Sequence, residues 1–300
     1  MSDQGILLTS GTGEFEILNF GVKSNSYAIN VIKVKEILQV EKIESIPNSP
    51  EAIIGMTTIR GEVINVIDLR LVLEKEKSDL SRDNMMILCE FNQMKIAFLV
   101  EKVLGIHRVG WDQVEKVTDI FKNSVIIGNI HLEETLCFLL DFEKIVMDIS
   151  PEAGINESRM VDVAKLDRSA YKLVLADDSP MIRNVLNETL RKSGIEDLTF
   201  FDNGQSAYQY LDSIAERKGD DFLDEVDILI TDIEMPQMDG HYLTRKIKEH
   251  KHLKKLPVLI FSSLITADLR HKGEEVGADG QLSKPQIGDL VELIDEFAKK

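Results

Sequence analysis

The hydrophobic pattern changes period once along this chain, and that change dictates what it can fold into. From Glu14 to about Asp148 short runs rich in Val and Ile follow one another: EILNFGV, YAINVI, VINVIDL, MMILCEF, KIAFLV, SVIIGNI and LCFLLDF. Turn or charged residues separate them at intervals too short for long helices, which predicts an all-β module built as a double small barrel. Two exceptions are expected, a helix over Ile32 to Leu38 (IKVKEIL) and a helical turn near Asp68 to Leu73. Residues 151–168 then carry Pro, Gly, Asn and Ser without a sustained apolar period and read as a linker.

From residue 169 to residue 300 strands alternate with helices. KLVLA, LTFF, VDILIT, PVLIF and DGQLS are the strands, each followed by a segment long enough for a helix. Such alternation implies a parallel sheet covered on both faces, an α/β (βα)5 flavodoxin-like domain. In the first of these helices Ile182, Val185, Leu186 and Leu190 form one stripe, and Ser179 with Pro180 supplies an N-cap and a preformed first turn. The chain thus divides into residues 1–150, the linker and residues 169–300. At 300 residues it exceeds one comfortable core.

Ligands of open α/β sheets bind beyond the carboxyl ends of the strands, so the polar residues that end strands matter most. Asp177 and Asp178 end the first, Asp232 the third, Ser262 the fourth and Lys284 the fifth. Taken singly, each has a plain structural explanation: Asp caps helices, Lys is solvated and a strand-end Ser bonds to backbone. Their coincidence, each at a strand end, is what points to chemistry. Converging carboxylates repel unless a cation neutralises them, and a hard, oxygen-seeking ion such as Mg2+ suits three acids. Asp232 is then the natural nucleophile toward a phosphoryl group. Lys284 would neutralise, and Ser262 hydrogen-bond, the oxygens of that group.

These residues resemble the response-regulator receiver domain. The match covers Tyr171 to Lys300 and runs through LADDSPMIR, TDIEMPQMDG, IFSS and GADGQLSKP, with Ser262 30 residues (262 − 232) and Lys284 52 residues (284 − 232) after Asp232. The resemblance implies that Asp232 is the phosphoacceptor. It also implies that Asp177, Asp178 and Asp232 hold Mg2+, with the backbone carbonyl of Glu234 as a further ligand, that Ser262 and Lys284 sense the phosphoryl group, and that a histidine kinase donates it. Three features depart from the pattern. Gln281 stands where the family often has an aromatic ring, which puts the usual ring-swinging coupling in doubt. Glu234 sets an acid beside the site, and Ala215 to Val226 (AERKGDDFLDEV) is a long acidic segment, expected to be solvated surface.

The first domain resembles the CheW-like coupling domain of chemotaxis. YAINVIKVKEIL, IPNSPEAIIGMTTIRGEVINVIDLR and KIAFLVEKVLGI carry the match, most specifically Arg60-Gly61 followed by Val63, Val66 and Asp68-Leu69. Gly61 permits a tight turn that presents Arg60 on the surface, either as a partner contact or merely paired with a neighbouring carboxylate. A CheW-like domain ahead of a receiver resembles the arrangement of the CheV chemotaxis family. That implies an adaptor between chemoreceptor cytoplasmic tips and the histidine kinase, regulated through Asp232, or a sink for the kinase's phosphate. It would not be an enzyme beyond phosphotransfer to, and autodephosphorylation of, its own aspartate.

Other classes fit less well. A Mg2+-dependent phosphohydrolase with an Asp nucleophile uses similar residues, but such enzymes place the nucleophile first and the acid pair last, the reverse of the order here. The formal net charge of -17 opposes a nucleic-acid partner. The opening MSDQGILLTSGTGEF lacks a basic segment followed by an apolar one, and no apolar run approaches a membrane span. A cytoplasmic protein recruited to membrane-associated receptor arrays by its partners is therefore expected. Cys89 and Cys137 read as buried strand thiols, and His250 and His252 as a solvated basic loop (HKHLKK). Trp111 suits a small core or a partner anchor equally well.

Overall fold

The computed structural model describes residues 14–81, 83–91, 94–116, 125–133, 135–150, 167–284 and 286–298. They form two compact units, each considered by itself. Residues 151–166 of the expected linker lie outside the described residues.

The first unit opens with β1 (Glu14–Val22), β2 (Asn25–Asn30), β3 (Val34–Gln39), β4 (Ile53–Ile59), β5 (Glu62–Asp68) and α1 (Leu69–Glu74). It continues with β6 (Met85–Phe91), β7 (Met94–Val100), β8 (Lys102–Gly110), β9 (Glu115–Lys116), β10 (Ile126–Leu132), β11 (Thr135–Leu140) and α2 (Phe142–Ile149). The strands make two sheets, β8-β1-β2-β11-β10-β9 and β3-β6-β7-β5-β4. These orders expose an internal duplication with exchanged hairpins. Hairpin β1-β2 pairs with β8 and runs parallel to β11, while hairpin β6-β7 pairs with β3 and runs parallel to β5. Each half therefore lends its hairpin to the strands of the other.

The duplication extends to detail. Both pairings of hairpin with third strand are bulged, at Asn19/Phe20 against β8 and at Val34/Glu36 on β3. Hairpins β4-β5 and β10-β11 both turn through a residue with positive φ, Arg60 at 51° and Glu133 at 53°. Each ends on an aspartate that caps a short helix, Asp68 before α1 and Asp141 before α2. Cores form on both faces of the sheets. One, with Phe20, Ile29, Phe91, Phe98 and Phe142, draws on both sheets and α2, and the other two belong to one sheet each. Burial on both faces explains why the strands read as continuous apolar runs.

One expectation for this unit needs correction, and three elements lie outside the sequence reading. Ile32 to Leu38 is not helical: a three-residue 3-10 turn, Val31–Lys33, leads directly into β3. The Asn30 side chain starts that turn by accepting from the Ile32 amide, and pairing with β6, Ile37 opposite Ile87, then overrides it. Helix α2, strand β4 and the long strand β8 were not anticipated. The turn near Asp68 is α1, as expected. Trp111 stacks on Phe15 at 4.0 Å and packs, partly buried, against a core cluster. Cys89 and Cys137 are both buried, as expected.

The second unit alternates β12 (Lys172–Ala176), α3 (Pro180–Lys192), β13 (Asp197–Phe201), α4 (Gly204–Lys218), β14 (Ile228–Thr231), α5 (Gly240–Glu249), β15 (Val258–Ser262), α6 (Ala267–Glu275), β16 (Gly280–Ser283) and α7 (Ile287–Ala298). Its five strands are parallel in the order β13-β12-β14-β15-β16. One face packs on α4 and α5, the other on α3 and α7. The central strand β14, ILIT, is buried throughout, which is how a strand covered on both faces must be composed.

One boundary differs from the sequence reading. Arg168, assigned to the linker, is buried in this unit: its guanidinium donates twice to Asp295 on α7, at 2.8 Å each, and once to the Ser193 carbonyl at 2.9 Å. The acidic segment 215–226 exposes Glu216, Arg217, Lys218, Asp220, Asp221 and Asp224, as expected of solvated surface, but it is also anchored. A 3-10 stretch, Gly219–Asp224, drives Phe222 into the core, and Asp220 meets His252 Nδ1 at 2.9 Å. His250 likewise lies 3.3 Å from Asp212, so HKHLKK is docked rather than free.

Candidate functional site

The parallel sheet brings the five strand-end residues together at one end. Asp177 and Asp178 follow β12, Asp232 follows β14, Ser262 closes β15 and Lys284 follows β16. One carboxylate oxygen from each of Asp177, Asp178 and Asp232 lies within 4.8 Å of the others. Lys284 Nζ donates to Asp177 Oδ2 and to Asp232 Oδ2, at 2.7 Å each. Lys284, Asp177 and Asp232 are all buried, so these contacts act with little screening from water.

Local structure fixes each group. Asp177 Oδ1 accepts from the Ser179 amide at 2.9 Å, while the Ser179 hydroxyl caps α3 by accepting from the Ile182 amide. Asp232 Oδ1 accepts from the Ile233 amide at 2.6 Å, and the Asp232 amide donates to the Ala176 carbonyl across the sheet at 2.8 Å. The loop after Asp232 is held by Asp239, which caps α5 through the Tyr242 amide, and by the Gly240 amide, which donates to the Ile233 carbonyl at 2.9 Å. Ser262 is fully buried, and its Oγ accepts from the Leu264 amide at 3.3 Å. The Lys284 amide donates to the Ser262 carbonyl at 2.9 Å, tying these two residues through backbone as well.

The electrostatics follow from burial. Desolvation pushes the Asp177 carboxyl up to about 6; Lys284 opposes the shift and the Asp232 charge adds to it. Three carboxylates and one ammonium leave the cluster two negative charges in excess when all are ionised. A divalent cation with a preference for oxygen matches both that charge and that donor set, so the residues present fit Mg2+. Glu234 is half-buried two residues after Asp232.

Three residues that shape the site escaped the sequence reading. Arg183 Nη1 donates to the Asp177 carbonyl at 2.6 Å and so holds the acid pair from α3. Its signal was a cation little more than one turn into the helix that follows the acids. Gly240 and Gly204 have no side chain because none fits: a β-carbon on the first would overlap the Asp232 carbonyl, and on the second the Met238 carbonyl. In the first unit Arg60 sits at the exposed tip of the β4-β5 hairpin and pairs with Glu36 at 2.8 Å. The expected pairing with a neighbouring carboxylate is thus present, and it leaves the Arg60 side chain 79% exposed.

Comparisons with known proteins agree with this division. Residues 16–150 match the CheW-like domain and residues 173–295 the response regulator receiver domain. Chemotaxis protein CheV3 of Helicobacter pylori is 28% identical over 283 residues, spanning 91% of this chain and 89% of its own. Chemotaxis protein CheW of Thermotoga maritima is 27% identical over 151 residues, spanning 49% of this chain and 98% of its own. Among solved structures, the scaffolding protein TtCheW from Thermoanaerobacter tengcongensis covers 43% of this chain and 84% of its own at 22% identity, with a TM-score of 0.40.

Proposed function

From the premise that this chain is a chemotaxis coupling adaptor of the CheV type, a CheW-like domain joined to a phosphorylatable receiver, we propose that Asp232 is its phosphoacceptor and the switch of its coupling. The observation that carries this reading is the pair of 2.7 Å contacts through which Lys284 neutralises two buried carboxylates at neighbouring strand ends. A cation poised there meets the charge that develops on a phosphoryl group in transfer.

Asp177, Asp178 and Asp232 would hold Mg2+ by their side chains, with the Glu234 carbonyl as a further ligand. When bound, the ion supplies charge neutralisation for the phosphoryl oxygens. The chain's own residues do the rest. The Ile233 amide and Lys284 orient the Asp232 carboxylate, and one of its oxygens forms the new bond to phosphorus as the bond to the kinase's phosphohistidine breaks. Ser262 and Lys284 then reach toward the added oxygens. Because they end β15 and β16, the pull is felt by the link into α6 and by the edge of the sheet. Loss of the phosphoryl group to water returns the resting state.

The histidine kinase would thus be both donor and coupling partner, with chemoreceptor tips as the second partner. The Arg60 hairpin is the candidate contact on the first domain. No described helix is long and apolar enough to cross a membrane, and partner binding would place the protein at receptor arrays. The test follows label from a phosphorylated chemotaxis kinase in Mg2+ to the full chain and to Asp232→Ala, with receptor capture in parallel. Prompt transfer lost in the variant, with capture retained, is the expected result. Transfer undiminished in Asp232→Ala would exclude this site as the acceptor.

A further inference from the structure

Helix α6 has little to hold it by hydrophobic burial. Of its nine residues only Leu269 and Gly273 are buried, and a short helix depends on tertiary contacts for its stability. Two polar side chains from neighbouring elements complete its seat. From β16, Gln281 lies over Gly273 so closely that a β-carbon there would overlap its amide. Gln281 Nε2 donates to the Arg270 carbonyl at 2.8 Å. The other end of that amide, Oε1, is buried and accepts no hydrogen bond among the described residues. From α5, His241 is buried, with its Nε2 enclosed and without a hydrogen-bond partner among the described residues.

The Gln281 contact therefore makes one hydrogen bond and leaves one polar atom enclosed and unsatisfied. The cost of such an orphan offsets part of the gain from the bond made, so the seat is shallow. Gln281 also lies where the switch residues meet. It pairs with Ile260 across the sheet, Ser283 pairs with Ser262, and Lys284 comes three residues later. Four residues separate Ser262 from the start of α6. A pull on Ser262 or Lys284 reaches Gln281 from both sides.

We propose that Gln281 is a latch: its amide, seated in the notch over Gly273, holds α6 against β16 while Asp232 is unmodified, and phosphorylation unseats it and releases α6. The release step rests on the reading of Asp232 as phosphoacceptor; the latch itself does not. The notch makes the contact depend on two positions, Gln281 and Gly273, that belong to different elements.

The test is hydrogen–deuterium exchange of the full chain, read by peptide. In the unmodified protein, Gln281→Leu and Gly273→Ala should each speed exchange across 267–275 about twofold, the part of one hydrogen bond's worth that the enclosed Oε1 leaves, while β12 and β14 stay protected. The alanine variant is diagnostic because alanine's helix propensity alone would slow exchange there. Acetyl phosphate with Mg2+ should speed α6 exchange in the parent to the rate of the variants and add little to theirs. Unchanged α6 exchange in both variants overturns the latch, as does acceleration shared equally with β12 and β14. A parent whose intact mass gains no phosphoryl group overturns the acceptor reading and the release step, while the unmodified arm still decides the latch.

Discussion

The α-carbon of Gly240 lies so close to Asp232 that a β-carbon there would overlap the Asp232 carbonyl oxygen. The obstacle is backbone, which cannot rotate aside as a flexible side chain would. Gly240→Ala should therefore displace the Asp232 loop, lose the bond from the Gly240 amide to the Ile233 carbonyl, and cost about 2–4 kcal/mol. Urea unfolding of the variant measures the cost. Phosphotransfer to Asp232 should fall with it even though no titratable group has changed.

Lys284 bridges Asp177 and Asp232 with its ammonium, and all three are buried. Lys284→Met keeps the bulk and removes the charge, so the cluster gains one more unit of uncompensated negative charge. Transfer from the kinase should fall about 10²-fold, as when one electrostatic stabiliser is removed from a transition state. Chelation supplies an independent readout. Withdrawal of Mg2+ by EDTA should lower the Tm of the variant more than that of the parent, because the variant has more negative charge for the ion to offset.

His241 gives the second unit a pH dependence with a definite sign. Burial, followed by the charge of Lys272, lowers its pKa to about 4, with Asp239 and the Leu269 backbone opposing and Arg245 reinforcing the shift. Between that value and the ordinary one near 6.5 the unfolded chain binds the proton and the folded chain does not. The stability from the neutral ring is therefore complete above about 6.5 and is lost as pH falls toward 4. From pH 7.5 to 5.0 the parent should lose about 2 kcal/mol that His241→Leu does not. Urea titrations followed by circular dichroism in the helical band check this, since the long helices belong to this unit.

The receiver half was legible because its signals are local. Strand-end acids fall at the ends of apolar runs, and each helix starts at a recognisable cap such as Ser179 or Asp239. The first half hid its elements for physical reasons. The bulge at Val34/Glu36 shifts the inward face of β3, so IKVKEIL lost its alternation and imitated a helix. Strand β8 carries Leu104 and Ile106 on its exposed side, 47% and 57% accessible, which erased the contrast between its faces. The docking of 215–226 on HKHLKK joins His252 to Asp220, 32 positions apart, and no local pattern announces such a pairing. The partnership of Gln281 with Gly273 is of the same kind: the residue stood out in the sequence, but its notch is made by another element.

The duplicated aspartates of the first unit allow a paired test. Asp68 Oδ1 accepts from the Arg70 and Leu71 amides and the Ser78 hydroxyl, and Oδ2 from the Ser78 amide, so it caps α1 and also ties down the segment that follows. Asp141, its counterpart, caps α2 through the Lys144 amide at 2.9 Å. If the Ser78 contacts add to the cap, Asp68→Ala should cost about 2–3 kcal/mol and Asp141→Ala about 1 kcal/mol. Trp111, the sole tryptophan of the chain, reports this unit through its stacking on Phe15, so fluorescence during urea unfolding isolates it from the receiver. A Ser78→Ala variant should recover much of the difference between the two. Equal losses at Asp68 and Asp141 would mean that the helix caps carry the stabilisation and that the tie to Ser78 contributes none.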